Sequence, residues 1–175
     1  AISLRDRLCN SLTADVFGQT QIIHNEGFFP CKKCKAGKGS SKVTQYWNKL
    51  DGRLVTINKF LTCSLDCVVY VLSCPCDKWY VGSTKHQAKC RVLEHKRAIK
   101  KNDPQYPVAR HFARFHESDD GLLRYFILDR VAVDPRGGDR LLRLRQLESK
   151  MIIGLGTKHP FGLNMDEELH VHLRS

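Results

Sequence analysis

Residues 68–84, VVYVLSCPCDKWYVGST, constrain the possible folds of this chain more than any other stretch. Residues 68–72 form a β-branched apolar run that suits a buried strand, and residues 79–81 predict a second short strand. The segment between them is too short for anything but a tight connection. The sequence therefore predicts a β-hairpin with Cys-Pro-Cys in its connection and a tyrosine on each strand, Tyr70 and Tyr80.

The remaining patterns alternate between helix and strand. The spacing predicts a short strand within 54–61, helices over 86–101 and 108–116, a strand over 122–133, and a last helix from an N-cap at Asp139 to about residue 153. This order, β-β-α-α-β-α from the hairpin onward, indicates an α/β or α+β fold: a small, mostly antiparallel three-stranded sheet flanked by helices.

The chain divides near residue 62. Residues 1–62 contain loop material such as KAGKGSSK and few periodic patterns, so we expect an extension there and a domain over 63–175. The hydrophobic content of 42% indicates a packed core, and the apolar runs are too short to span a membrane. Charges near the first residue argue against a signal peptide, and the missing initiator Met suggests a fragment of a longer protein.

Positive charge is concentrated in the predicted helix after the hairpin. The formal net charge is +11, and an excess of this size favours an anionic partner, most commonly nucleic acid. Between residues 85 and 101 the only acid is Glu94. Besides Arg91, the basic residues that we expect to contact nucleic acid are Lys85, Lys89, Lys96, Arg97, Lys100 and Lys101.

Glu148 interrupts the apolar stripe of the last predicted helix. The other members of the stripe are Leu141, Leu144, Met151, Ile152 and Leu155. A carboxylate that faces a core must be paired, protonated or bound to a cation. Glu148 is therefore either a site residue, or a partner of Arg91 in a salt bridge, or a residue at the edge of the stripe with Leu147 turned inward.

Eight cysteines and eight histidines raise the choice between disulfides and metal. The close pairs CKKC and CPC suit metal better than local disulfides, which implies a reducing compartment. The pair Cys74 and Cys76 is followed by His111 and His116, whose spacing suits structural zinc. Spacing alone leaves buried thiols and surface histidines open as alternatives.

A second zinc site is expected in the N-terminal extension. Its ligands would be Cys31, Cys34, Cys63 and Cys67. Cys67 is the least diagnostic of the four because it also opens the buried strand, and His24 is a rival fourth ligand. Cys9 and Cys90 have no evident partner and are expected to be free thiols.

The ordered set Tyr70, Tyr80-Val81-Gly82 and Arg91 resembles the GIY-YIG nuclease signature, in which two strands supply tyrosines and the next helix an arginine. The family's helical metal-binding glutamate matches Glu148. A histidine one turn after the arginine matches His95, and an asparagine beyond the glutamate helix matches Asn164. The chain departs from the pattern at Val68, where glycine is usual, and in a slightly short spacing between the tyrosines.

A closer resemblance is to the endonuclease of Penelope-like retroelements. The stretches that carry it are VVYVLSCPC, YVGST, RVLEH, VARHF and LGTKHPFGLN, with SLRDRL and FFPCKKC upstream. The resemblance covers nearly the whole chain and includes a CCHH zinc site with its cysteines between the tyrosine motifs. It implies a nuclear protein that nicks target DNA for reverse transcription and that meets element RNA through the rest of a longer polypeptide.

The chemistry that this resemblance implies is hydrolysis of a DNA phosphodiester with one Mg²⁺ or Mn²⁺ ion bound by Glu148. Arg91 would contact the phosphate and Tyr70 would accept the proton of the attacking water. Tyr80 would position water or share the proton relay, and His95 would assist as a base or a phosphate contact. The alternatives are a non-catalytic, zinc-stabilised nucleic-acid-binding module and a secreted disulfide domain.

Overall fold

A computed structural model describes residues 25–165 of the chain. The strands are β1 (Gly27–Phe29), β2 (Gln45–Trp47), β3 (Leu54–Thr56), β4 (Phe60–Thr62), β5 (Val68–Ser73), β6 (Trp79–Thr84) and β7 (Arg124–Arg130). The helices are α1 (Ala88–Lys101), α2 (Pro107–Phe115) and α3 (Arg140–Gly154), with a short 3-10 turn at Asp120–Leu122. The fold is mixed α+β, as the sequence predicts.

The predicted hairpin and the third strand form one antiparallel sheet with the order β6-β5-β7. The central strand β5 is buried along nearly its whole length because helices and the N-terminal segment cover the sheet. Tyr70 pairs with Gly82 across β5 and β6, and a register shift between Val69 and Tyr70 marks the pairing with β7. The strand β6 lies at the edge of this sheet.

The N-terminal segment adds two small sheets. β1 pairs with β4 in parallel, and β2 pairs with β3 in an antiparallel ladder. The prediction of a single strand over 54–61 was wrong, because residues 57–59 separate β3 from β4. Phe28 of β1 is fully buried and its ring lies 5.2 Å from that of Tyr125 on β7. The N-terminal segment therefore shares its core with the three-stranded sheet.

Helix α1 packs its apolar side on the sheet and turns its basic side outward. It begins two residues later than predicted and ends at Asn102, whose left-handed backbone (φ 52°) lets its N–H bond to the carbonyls of Ala98 and Ile99. Val92 and Ile99 are fully buried, whereas Arg97, Lys100 and Lys101 are exposed. The helix thus holds positive charge beside the sheet without burying it.

Helix α3 begins as predicted at Asp139, whose carboxylate accepts hydrogen bonds from Leu141 N and Leu142 N at 2.8 and 3.0 Å. Leu144, Ile152 and Leu155 are buried. Leu141 is 40% exposed, so its assignment to the apolar stripe was wrong.

Strand β7 is shorter than the predicted strand over 122–133. The 3-10 turn ends at Leu122, and β7 itself runs only from Arg124 to Arg130. Among residues 25–165, no helix combines the length and hydropathy needed to cross a bilayer.

Candidate active site and metal centre

Tyr70 lies at the centre of the candidate active site. It is on β5, fully buried, and its hydroxyl is joined to His95 Nε2 by a hydrogen bond of 2.9 Å. The opposite residue on β6 is Gly82, and a Cβ atom there would lie 2.7 Å from the Tyr70 hydroxyl and 2.8 Å from Cε1 of Tyr80. The Gly of the YVG stretch therefore makes room for both tyrosine rings on one face of the sheet.

His95 fills the space between the two tyrosines and helix α1. Its ring centroid lies 5.9 Å from that of Tyr70 and 5.6 Å from that of Tyr80. Burial, followed by repulsion from Arg91, lowers the pKa of His95 to about 3, so the imidazole is neutral at physiological pH. Its Nδ1 atom is buried and has no hydrogen-bond partner among the described residues.

Arg91 lies one helical turn before His95 on the same face of α1. It is half-buried, and its guanidinium donates to the Glu94 carboxylate at 2.8 Å. Burial raises the pKa of Tyr70, while the charge of Arg91 and a hydrogen bond from it act in the opposite direction. Arg91 is therefore the group of this chain that favours an ionised Tyr70.

Glu148 approaches the same corner from helix α3. Its carboxylate is half-buried and accepts a hydrogen bond from Ser83 Oγ at 2.7 Å, on the edge strand β6. It also contributes to the raised pKa of Tyr70 through charge repulsion, after burial and after the opposing effect of Arg91. Leu147 packs partly buried against the core, so Glu148 lies at the edge of the apolar stripe.

A salt bridge from Glu148 to Arg91 was one of the alternatives left open by the sequence; among the described residues the ion pair of Arg91 is with Glu94. Ser83, the hydrogen-bond donor to Glu148, was not among the predicted site residues. Its only sequence signal is its position directly after the Tyr-Val-Gly stretch.

Asn164 binds the edge strand rather than pointing into the cleft. Its Oδ1 atom accepts from Val81 N at 2.9 Å and from Thr157 Oγ1 at 2.8 Å, and its Nδ2 atom donates to Val81 O at 2.7 Å. The residue is fully buried. These contacts assign Asn164 to positioning β6, and with it Tyr80, instead of direct contact with a substrate.

Tyr106 was missed at the sequence level. It precedes helix α2, its ring centroid lies 5.7 Å from that of His95, and the Arg91 guanidinium lies 5.8 Å from the centre of its ring. The cation–π contact helps to fix Arg91 beside Tyr70. An aromatic residue before a helix has no special spacing from the motifs, so the sequence offered no signal for it.

The predicted zinc ligands Cys74, Cys76, His111 and His116 converge. One ligand atom from each residue lies within 4.8 Å of all the others. Cys76 Sγ is 3.0 Å from His111 Nε2, and His116 Nε2 is buried with no hydrogen-bond partner among the described residues. An unpaired buried imidazole nitrogen beside thiols fits a metal ion such as zinc, which binds S₂N₂ donor sets.

The two cysteines of this cluster are also near enough to pair with each other. Their Sγ atoms lie 2.50 Å apart, longer than the roughly 2.05 Å of a disulfide bond. Burial lowers the pKa of His111, which keeps its imidazole in the neutral form that a metal requires.

The N-terminal cysteines come together only in part. Cys31 N donates to Cys63 Sγ at 3.0 Å, and Cys34 Sγ contacts Cys31 O at 3.6 Å, so three of the predicted ligands are neighbours. The fourth, Cys67, instead contacts the Lys85 carbonyl at 3.9 Å through its Sγ atom. Within residues 25–165 these cysteines do not meet the mutual distances of a metal cluster. His24 and Cys9 lie outside the described residues.

The predicted nucleic-acid contacts lie mainly on the outer side of α1. Lys85, Arg97, Lys100 and Lys101 are exposed, and Lys89 and Lys96 are half-buried. Lys100 is 3.3 Å from Asp120, and burial lowers the pKa of Lys96. Cys90, the remaining predicted free thiol of this helix, is exposed.

Comparisons of the chain with protein-family models, with curated proteins and with solved structures found no match.

Proposed function

We propose that the chain is a metal-dependent DNA endonuclease of the GIY-YIG type. The observation that carries this proposal is the convergence at one corner of the sheet. Tyr70 and Tyr80 come from adjacent strands, Arg91 and His95 from one face of α1, and Glu148 from α3. A hydrogen bond of 2.9 Å between Tyr70 and His95 joins strand β5 to helix α1. Such a set of a carboxylate, a guanidinium and phenols matches the needs of phosphodiester hydrolysis.

Glu148 fits a divalent cation by its chemistry. Its carboxylate is half-buried, is oriented by Ser83 at 2.7 Å, and supplies hard oxygen donors of the kind that Mg²⁺ and Mn²⁺ prefer. When bound, such an ion would stabilise the negative charge that develops on the phosphate and the leaving oxygen. Glu148 is the residue of this chain that would hold it.

Each remaining side chain has a distinct task in this proposal. Arg91 donates to the scissile phosphate and keeps the phenolate form of Tyr70 accessible. In its phenolate form Tyr70 accepts the proton of the attacking water and becomes a phenol, with His95 as its hydrogen-bond partner. Tyr80 lies on the other side of the neutral His95 ring and positions the water. Tyr106 holds the Arg91 guanidinium from the solvent side.

The context proposed for this activity is a Penelope-like retroelement. The enzyme would act in the nucleus and nick target DNA so that reverse transcription can begin there, with element RNA held by the rest of a longer polypeptide. The excess charge of +11 would bind phosphates without reading sequence, which implies strong salt dependence. Zinc in the Cys74 cluster would tie the hairpin connection to α2 and so fix the two tyrosines.

One observation favours a second candidate function, a zinc-stabilised nucleic-acid-binding module without cleavage. Tyr70 is 0% exposed and His95 is 2% exposed, so neither touches solvent freely. Burial raises the pKa of Tyr70, so the phenol stays protonated at neutral pH and does not readily accept a proton from water. The two candidates share the charged surface and the zinc site, and they differ in the need for Glu148.

Nicking of supercoiled plasmid with Mg²⁺ or Mn²⁺ distinguishes the two candidates. We expect Glu148→Gln and Tyr70→Phe to lower the nicking rate by at least about 100-fold while DNA binding stays within about twofold of wild type. The matched controls are Asp51→Asn, an exposed carboxylate on the β2–β3 turn, and Tyr46→Phe on β2. Nicking by Glu148→Gln at the wild-type rate would refute the nuclease proposal. DNA binding without nicking by any of these proteins, wild type included, would favour the non-catalytic binding module.

A further inference from the structure

A groove of about 700 Å³ opens at the C-terminal end of α3. Its floor is apolar and includes Ile152 and Leu155, and its walls include Leu50 and Phe161. A volume of this size is within the range of about 300–1,000 Å³ that is usual for small-ligand sites and is too small for a folded domain. None of the residues assigned above to catalysis or to zinc lines this groove.

Phe161 is displayed at the tip of a closely held loop. Its side chain is 84% exposed, the largest exposure among the large apolar residues of the described part of the chain. Gly162 N donates to Lys158 O at 2.8 Å, and Asn164 N donates to Thr157 O at 3.0 Å. A Cβ atom on Gly162 would lie 2.1 Å from Thr157 O, so the loop closes too tightly for any other residue there. Leu50 and Ile153, which are 64% and 55% exposed, line the same groove, and together with Phe161 they form an exposed apolar patch of the kind that marks a binding surface.

The groove is lined by residues next to the candidate active site on α3 and β6. Ile152 follows Glu148 by one turn of α3, and Trp79, which lines the groove, directly precedes Tyr80 on β6. The loop that carries Phe161 is bonded to the same strand, because Leu163 N donates to Trp79 O at 2.9 Å. A strand of DNA with its phosphate at Glu148 therefore has the groove within a nucleotide or two.

Positive charge surrounds the groove while its interior stays apolar. Lys49 and Lys158 line it; Lys49 Nζ forms an ion pair with the Asp77 carboxylate at 2.6 Å and lies 4.4 Å from the centre of the Trp79 ring. Lys78 adds a third cation nearby, with its Nζ 3.1 Å from Pro160 O. An aromatic face with lysines around it complements a base and its flanking phosphates better than an uncharged apolar peptide.

We propose that this groove binds an unstacked nucleobase of the DNA strand next to the scissile phosphate. Phe161 is the stacking face, Trp79 and the aliphatic side chains form the pocket, and Lys49 and Lys158 contact flanking phosphates. The proposal rests on the proposed function in that it takes DNA as the ligand. It adds a preference for locally unpaired DNA, since a paired base is not free to enter a pocket.

The test is equilibrium binding of a single-stranded oligonucleotide with one 2-aminopurine and of the same sequence as a duplex. Both are measured on the Glu148→Gln background, so that cleavage plays no part. We expect Phe161→Ala to weaken single-strand binding by roughly 5- to 150-fold, the range of one base–aromatic stack. Duplex binding, which depends on phosphates, should change by less than about twofold. Phe161→Trp should retain the wild-type single-strand affinity.

Phe60→Ala is the matched control, because Phe60 is an apolar ring, 49% exposed, on the N-terminal sheet. A second measurement uses Trp47→Phe, which leaves Trp79 as the sole tryptophan. The fluorescence of Trp79 should be quenched by the single-stranded oligonucleotide and not by the duplex. Equal losses for single strand and duplex, or no loss in Phe161→Ala, would overturn the proposal. Self-association that Phe161→Ala abolishes, with oligonucleotide binding unchanged, would overturn it in favour of a protein partner.

The two proposals fail separately. Plasmid nicking by wild type together with unchanged single-strand binding by Phe161→Ala would remove the base pocket and leave the nuclease. If wild type does not nick plasmid and Phe161→Ala still selectively loses single-strand binding, the base pocket stands and the nuclease proposal fails.

Discussion

Gly82 lies directly opposite Tyr70 in the hairpin, and the absence of a side chain at Gly82 lets the phenol reach His95. A Cβ atom on Gly82 would lie 2.7 Å from the Tyr70 hydroxyl, well inside van der Waals contact. Tyr70 is fully buried and cannot swing away without disturbing the core. Gly82 is therefore part of the candidate site although it carries no chemistry.

Gly82→Ala should damage activity more than stability. The added methyl group is expected to cost about 1–3 kcal/mol of unfolding free energy, as overpacking of a core does. Nicking should fall by more than about tenfold because the bond between Tyr70 and His95 is displaced. Gly154→Ala is the control, since a Cβ there meets nothing within 4 Å. Urea unfolding and plasmid nicking measure the two effects, and a fully active Gly82→Ala would show that this contact is not required.

Zinc content should depend on the Cys74 cluster. In reduced protein, Cys76→Ser is expected to lose one equivalent of zinc per chain by elemental analysis. The melting temperature should fall by more than about 10 °C, because a structural zinc contributes folding free energy directly. Cys90→Ser, which removes an exposed thiol of α1, should change neither quantity. Retention of all wild-type zinc by Cys76→Ser would refute this site.

The same measurement tests the second zinc site that the sequence predicts. Cys34 lies beside Cys31 and Cys63, whereas Cys67 contacts a backbone carbonyl elsewhere. Because Cys31, Cys34, Cys63 and Cys67 do not meet the mutual distances of a metal cluster, Cys34→Ser and Cys67→Ser should both retain the zinc content of wild type. Loss in both variants would restore the four-cysteine set, and equal zinc in wild type and Cys34→Ser would leave a single zinc site.

The hairpin and its neighbours were predictable because their signals are local. The β-branched run of β5, the glycine after Tyr80-Val81 and the N-cap at Asp139 each act within a few residues of chain, and each is found in its expected place. The convergence of Cys74 and Cys76 with two later histidines was also predictable, because ligand spacing is set by the metal and not by the fold.

Other features depend on packing that no local pattern encodes. Ser83 donates to Glu148 only because α3 crosses the edge strand, and Tyr106 meets Arg91 only because α2 returns across α1. Asn164 fits the family pattern of a site residue, but its carboxamide is bound to the Val81 backbone. Cys67 likewise lies at the turn into β5, where its φ is 48° and its Sγ atom contacts the Lys85 carbonyl.

The buried His95 should make the fold sensitive to acid. Its pKa is about 3 in the folded chain against an ordinary 6.5, so the unfolded chain binds the extra proton as the pH falls below about 6.5. This residue alone should lower the unfolding free energy by about 2 kcal/mol between pH 7 and pH 5. Urea unfolding at both values measures the loss. His95→Gln should reduce this loss of unfolding free energy, and His86→Gln, at an exposed position, should not. The same loss in His95→Gln as in wild type would show that His95 is not the group responsible.

Replacement of Asn164 distinguishes positioning from direct contact with DNA. Asn164→Ala leaves the buried N–H and C=O of Val81 without the partners that they have at 2.9 and 2.7 Å. We expect a loss of about 3 kcal/mol in unfolding free energy, measured in urea, because each unpaired buried group costs about 1–3 kcal/mol. Nicking by the protein that remains folded should stay within about tenfold of wild type, and Asn58→Ala, at an exposed position, should change neither value. Abolished nicking with an unchanged unfolding free energy would instead indicate that the Asn164 amide contacts DNA. Only a group that contacts the substrate would lower the nicking rate without destabilising β6.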